Sequence, residues 1–160
     1  MTLAPDLTNA ILPKLKVRFD EPEHGRIWLL VFADDEKIIH KDASHIYSSF
    51  DQLVTALGAM LDVREERLVV WLEAPAELEM RFSRRDDVIW LEITSFDGSK
   101  RPHKEPEFTF YGSYNEICLP FWRALRALEG RYSVEELEHR WRDPFPHREL
   151  ALLTQRLAKD

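Results

Sequence analysis

The sequence predicts an α+β domain. The expected form is an antiparallel β-sheet of about six or seven strands, with one inserted helix and a C-terminal helical segment packed mainly on one face. Three observations predict it. Apolar residues alternate with polar ones at Lys14–Phe19 and again at Glu77–Phe82. Phe50, Leu53, Val54, Leu57 and Leu61 recur at helical spacing between strand-like stretches. After Tyr114 the apolar spacing is helical to the end. Period two marks a half-buried strand, and spacing of three and four marks an amphipathic helix.

Residues 1–13 read as a loosely ordered lead-in ending at Pro13, and 14–160 as one domain. The first strand covers about 14–20. It is followed by an acidic turn, Asp20-Glu21-Pro22-Glu23-His24-Gly25. The second, about 26–33, is apolar on both faces, which predicts a central strand covered on both sides. Asp34-Asp35 turns the chain into a short strand at 36–40. Ser49 is the expected N-cap of a helix ending near Asp62, with Asp51 at its positive end.

Strands resume at about 67–73, 76–84, 87–95 and 106–113. Pro75 separates the first two, and Arg85-Asp86 makes a hairpin turn. The segment from Phe96 to Pro106 is a polar loop carrying Lys100, Arg101, His103 and Lys104. Three helices are expected at about 115–130, 133–142 and 146–158, with Pro120 near the first turns of the first placing the start of its regular part there. Gly130 suits the end of the first, Ser133 with Glu136 forms a capping box for the second, and Pro144 and Pro146 break the chain before the third.

Size and composition narrow the function. A chain of 160 residues with 44% hydrophobic residues fills a conventional core without staples. The single Cys118 forms no internal disulfide and sits in an apolar run, in keeping with a cytoplasmic setting. The longest uncharged apolar run, Ile27–Ala33, falls far short of the roughly 20 residues of a membrane helix. The start of the chain has no signal-peptide pattern. A net charge of −7 argues against nucleic acid, because phosphate binding needs lysine and arginine. It favours a basic protein partner instead.

"DASHIYSSFDQLVTALGAML", then "VVWLEAPAELEMRFSRRDDVIWLEI", then "RWRDPFPHRELALL" together resemble a group of uncharacterised small bacterial α+β proteins. That group has a Tyr-Ile-like segment leading into a helix, a Trp…Glu-x-Pro-Gly-Glu-like strand pair and a Trp…Pro-Phe-Pro segment near the end. Some members look like immunity proteins encoded beside bacterial toxins. The resemblance covers about residues 40–155. His45-Ile46-Tyr47 stands where the pattern has Tyr-Ile, and Ala76 where it has Gly. It implies an immunity-like role and transfers no catalytic or binding residue.

No phosphate-binding glycine loop, nucleophile elbow, CxxC, HExxH or calcium loop occurs, so no catalytic residue, metal ligand or cofactor is assigned. His40, Asp42 and His45 are close in sequence, but an extended chain points His45 away from the other two. Glu135, His139 and Asp143 read as ordinary surface residues of a helix. Glu73, Glu77 and Glu79 bracket a turn, and Glu77 and Glu79 share a strand's polar face with Arg81, which reads as a solvated sheet face. Trp71 points opposite Leu68, Val70 and Leu72, so it either fills a core or forms an exposed patch with Val69.

The leading expectation is a noncatalytic protein–protein interaction module that blocks a toxin by steric and electrostatic occlusion. Its contacts would be Asp20, Glu21, Glu23, Asp34, Asp35, Glu36, Glu73, Glu77, Glu79 and Trp71. One alternative is a ligand-binding or enzymatic domain with a pocket between sheet and helices, drawing on His40, His45, Glu73 or Glu92. Another is an acidic secretion chaperone, dimeric and with apolar grooves. Composition fixes no oligomeric state.

Overall fold

The computed structural model describes residues 14–159, so the lead-in expected at 1–13 lies outside the described residues. Seven strands form one antiparallel sheet in sequence order: β1 (Leu15–Phe19), β2 (Arg26–Ala33), β3 (Glu36–Ser44), β4 (Glu66–Glu73), β5 (Ala76–Arg85), β6 (Val88–Phe96) and β7 (Phe108–Gly112). Helix α1 (Ser49–Ala59) lies between β3 and β4. The chain closes with α2 (Tyr114–Ile117), α3 (Leu119–Gly130), α4 (Val134–Trp141) and α5 (His147–Ala158). The fold is therefore α+β, with its helices where the apolar rhythm changes.

The turns are local chemistry. Asp34 and Asp35 both take positive φ, at 50° and 68°, the geometry a two-residue hairpin needs and aspartate tolerates. Asp86 does the same at 54° between Arg85 and Val88. Gly25, at φ 74°, is required twice over. Its carbonyl accepts from the His45 amide at 2.9 Å, and a Cβ there would sit 2.5 Å from the His45 ring.

The strand periodicity separates two sheet faces. Ile27, Leu29 and Val31 of β2, Leu78, Met80 and Phe82 of β5, and Ile89, Leu91 and Ile93 of β6 meet Leu53, Leu57, Phe121, Leu125, Leu150 and Leu153 from the helices. Phe50 binds the layers, with Phe19, Trp71, Trp141 and Phe145 packed at centroid distances of 4.8–5.8 Å. At its other end α1 receives the Tyr114 hydroxyl on the Leu57 carbonyl at 2.7 Å. The opposite face carries no helix among the described residues and displays Trp28, Leu68, Arg81, Trp90 and Tyr111.

Several expectations are corrected. Strand β3 runs to Ser44 rather than 40. Ser49 is not the N-cap of α1. Ser48 holds that position with φ 50°, while Ser49 is buried and its hydroxyl donates to the Val70 carbonyl. The expected helix at 115–130 is two helices that meet at Cys118, because Pro120 has no N–H for a continuous ladder. Ser133 accepts from the Glu136 amide, but Glu136 turns to Arg140 instead of closing the box. The complete capping box is at Ser113 and Glu116. Strand β2 is covered on both sides only in part: on the open face Leu30 is buried at 3%, but Trp28 keeps 40% of its surface exposed.

The sheet is stepped between β3 and β4, which pair only at Ser44 and Leu72. Extending that antiparallel register places Glu66 opposite Phe50, already inside α1. Side chains of α1 take over where the ladder stops. The Gln52 amide oxygen accepts from the Val70 N–H at 2.8 Å, and its NH₂ donates to the Tyr47 carbonyl at 2.8 Å. On the other side of the step, Glu73 accepts from the Asp42 N–H at 2.6 Å. Buried backbone groups need such partners.

Candidate functional site

The sequence-nominated acids fall into three separate places. Asp20, Glu21 and Glu23 lie in the β1–β2 turn and, with Asp42 of β3, line a groove of about 560 Å³ whose wall includes the Trp28 indole. Asp34, Asp35 and Glu36 lie at the far end of β2, roughly 20 Å away at the rise of an extended strand. Glu73, Glu77 and Glu79 belong to the middle of the sheet.

The groove is built from short-range constraints. The Glu23 and Arg26 backbones exchange hydrogen bonds at 2.9 and 3.0 Å, and Gly25 donates to the Arg140 carbonyl at 2.8 Å. The turn is thereby tied to α4. Arg18 pairs with Asp20 at 2.9 Å, Arg26 with Asp42 at 2.9 Å, and Arg140 with Glu23. Arg131 spends its guanidinium on the Phe19 carbonyl at 2.6 Å. Among the described residues Glu21 is the one groove carboxylate without an ion pair. Trp28 packs against His40 at 4.4 Å between centroids with the rings tilted by 43°, on the face that no helix covers among the described residues. The groove thus joins a rigid, half-open indole to carboxylates held mostly by surface arginines. Exposed pairs of this kind exchange readily.

The hairpin acids are simpler. Asp34 accepts from the Lys14 N–H at 2.8 Å, and Asp35 pairs with Lys16 at 3.3 Å. They and Glu36 are exposed and share no surface with Glu21.

Glu77 and Glu79 correct the expectation of a solvated face. They are on the polar side of β5 as their spacing requires, yet only 5% and 9% exposed. The loop after β6 folds across them and lays Arg101 over both carboxylates, bonded to Glu77 and 3.0 Å from Glu79. The Tyr47 hydroxyl donates to Glu77 from the other side at 2.5 Å. Arg101 also lies 4.6 Å from the Phe96 ring centroid. The hydrogen bonds from Tyr47 and then Arg101 hold the Glu77 carboxyl below its ordinary range, against the opposing effect of burial. The same contact raises Tyr47. Two carboxylates satisfied by one guanidinium and a phenol form a clasp, and neither is free to meet a partner.

Trp71 also leaves the contact surface. It is 1% exposed and packs under the helices with Val69, while Leu68, on the other side of β4, is the exposed one at 39%. Helices cover the Trp71 face, so its indole belongs to the core.

The residues proposed for a pocket chemistry do not meet. His40 packs against Trp28, His45 approaches the Gly25 carbonyl at 3.1 Å, Glu73 caps Asp42, and Glu92 faces Arg81 across β5–β6. Among the described residues no three His, Cys, Asp or Glu side chains are grouped to hold a metal ion. No helix among them is long and apolar enough to cross a membrane.

Sequence reasoning missed Tyr47, Arg101 and Trp28. The polar loop flagged Arg101 only as one of several cations, and the all-apolar run of β2 hid the exposure of Trp28. No family model matches the chain, and neither a curated protein nor a solved structure matches it.

Proposed function

We propose that the protein is a noncatalytic interaction module that docks a basic protein partner on the open sheet face, around Trp28 and the adjoining acidic groove. One observation carries this reading: the β1–β2 turn brings Asp20, Glu21 and Glu23 beside Asp42 and the exposed Trp28 indole. Indoles at interfaces supply much of the binding energy because they desolvate a large area at little entropic cost. Carboxylates at the rim steer a positive partner and raise its rate of encounter. The net charge of −7 adds to that steering. An immunity-like protein, covering a toxin's basic active surface, fits this division between an aromatic anchor and acidic rim.

The test is co-purification of a tagged chain from its source cell at low and high salt, comparing wild type with Trp28→Ala and Glu21→Lys. Trp28→Ala is expected to cost about 2 kcal/mol of binding, roughly thirtyfold in affinity. Glu21→Lys is expected to slow association and to flatten the salt dependence. A partner that both variants retain as well as wild type, or the absence of any partner at both salts, overturns the reading.

A further inference from the structure

Among the described residues strand β1 is the edge of the sheet, and its two ends show which backbone groups face β2. The Lys14 carbonyl accepts from the Asp34 N–H at 3.0 Å, and the Asp20 N–H donates to the Trp28 carbonyl at 3.0 Å. Hydrogen-bonding direction alternates along an antiparallel strand, so Lys16 and Arg18 also bond inward to β2. The N–H and C=O groups of Leu15, Val17 and Phe19 then point off the sheet. Phe19 bears this out, because its carbonyl is taken by Arg131 from outside the ladder. Among the described residues nothing takes up the outward groups of Leu15 and Val17.

A groove of about 300 Å³ follows this edge. Leu15 and Val17 with Pro120 of α3 form its apolar part on the helix side, Phe32 of β2 adds an apolar ring on the open side, and Lys16, Arg18 and Arg123 form its polar part. No carboxylate lines it, although the chain as a whole is acidic. Lys16 and Arg18 hold exposed pairs with Asp35 and Asp20, and Arg123 holds no ion pair among the described residues.

We infer that the outer edge of β1 binds an extended, acidic segment of a partner protein by strand addition, with carboxylates and apolar residues alternating along it. The outward groups of Leu15 and Val17 supply the main-chain hydrogen bonds. Apolar side chains of the added strand lie on the helix side, beside Leu15, Val17 and Pro120. Its carboxylates lie on the open side, against Lys16 and Arg18, with Arg123 at the margin. Charge selects this occupant over a second copy. Pairing two β1 edges would set the Lys16 and Arg18 rows of both chains opposite each other on one face, and like charges directly across strands repel. This site is separate from the acidic groove, carries charge of the opposite sign, and stands or falls independently of it.

The probe is the fluorescein-labelled peptide Glu-Val-Glu-Val-Glu-Val, titrated with full-length protein and read by anisotropy, with amide chemical shifts of Leu15 and Val17 as a second readout. Three controls accompany it: a Lys-Val-Lys-Val-Lys-Val peptide, the acidic peptide with alternate backbone nitrogens methylated, and the Arg123→Glu protein. Saturable binding of the acidic peptide is expected, with shifts at Leu15 and Val17. Each control should weaken it by about tenfold or more, since one removes the charge match, one the ladder hydrogen bonds and one a groove cation. Absence of saturable binding overturns the inference, as does equal binding of the methylated peptide. Deletion of residues 1–13 should leave the affinity unchanged, and a rise above about tenfold would assign the edge to the chain's own N-terminal segment instead. A wild-type mass of two chains that falls to one as peptide binds would assign it to a second copy.

Discussion

Gln52 and Val70 meet at 2.8 Å where the strand ladder between β3 and β4 ends. The glutamine side chain stands in for a missing strand. It accepts from one backbone N–H and donates to the Tyr47 carbonyl, so a single amide bridges β4, α1 and the 3₁₀ turn at His45–Tyr47. The step in the sheet is therefore closed by side chains of the inserted helix.

Removing that amide tests the account. Gln52→Ala leaves two partly buried backbone groups without partners, at a cost of about 1–3 kcal/mol. Gln52→Glu keeps the acceptor for Val70 but loses the donor to Tyr47, and should cost less. Urea unfolding of the three proteins, with hydrogen exchange at Val70, gives the comparison. Equal stability of Gln52→Ala and wild type would show that the step is held by packing alone.

The Arg101 clasp predicts a second pattern. Arg101→Ala strands Glu77 and Glu79 side by side beneath a thin cover, and should cost roughly 1–3 kcal/mol because water still reaches one side. Converting both glutamates to glutamine in the Arg101→Ala background should restore part of that loss, since the buried charges are gone. Protection of amides in 97–106 should fall with Arg101→Ala in every case. A triple variant no more stable than Arg101→Ala would remove charge burial as the cause.

Acidity acts through the same group. Hydrogen bonds from Tyr47 and Arg101 hold Glu77 below its ordinary 4.5 in the folded chain. The unfolded chain therefore takes up the proton first as pH falls. The stabilisation from Glu77 is complete above 4.5 and is lost as pH drops through the lower folded value. Glu77→Gln should flatten this acid limb while changing little of the slope near neutral pH. Unfolding midpoints across the acid range measure it, and an unchanged acid limb in the variant would place the titration elsewhere.

Much of this arrangement is legible in the sequence, and the limits are physical. Leu78, Met80 and Phe82 alternate with charged residues, so the core side of β5 follows from period two alone. The same parity puts Glu77 and Glu79 on the opposite face, correctly, but their burial depends on Arg101, more than twenty residues away across a loop. Strand β4 is apolar on both faces, so its sequence separates Trp71 from Leu68 without saying which side the helices cover. Packing of α1 decides that. Ser48 and Ser49 are chemically equivalent candidates for a cap, and the reach of Ser49 to Val70 settles their roles.

The two tryptophans on opposite faces of the sheet, Trp28 of β2 and Trp71 of β4, should behave oppositely. Trp71→Ala opens a core cavity and should cost about 3–5 kcal/mol of stability. Trp28→Ala removes an exposed ring, and should change stability by less than about 1 kcal/mol while weakening partner binding. Thermal or urea unfolding of each variant, run beside the binding comparison, separates the two. A Trp28 variant as destabilised as Trp71 would move Trp28 from the contact surface into the structural core.

Cys118 offers a check on the junction of α2 and α3. It is fully buried where the two helices meet, and burial pushes its thiol well above the ordinary range. Reaction needs the exposed thiolate, so a thiol reagent should label the native chain only as fast as the junction opens. Labelling should be rapid in denaturant and slow without it, and Gln52→Ala should speed it only to the extent that it lowers global stability. Native labelling at the rate of a free cysteine would mean that the α2–α3 junction opens independently of the sheet.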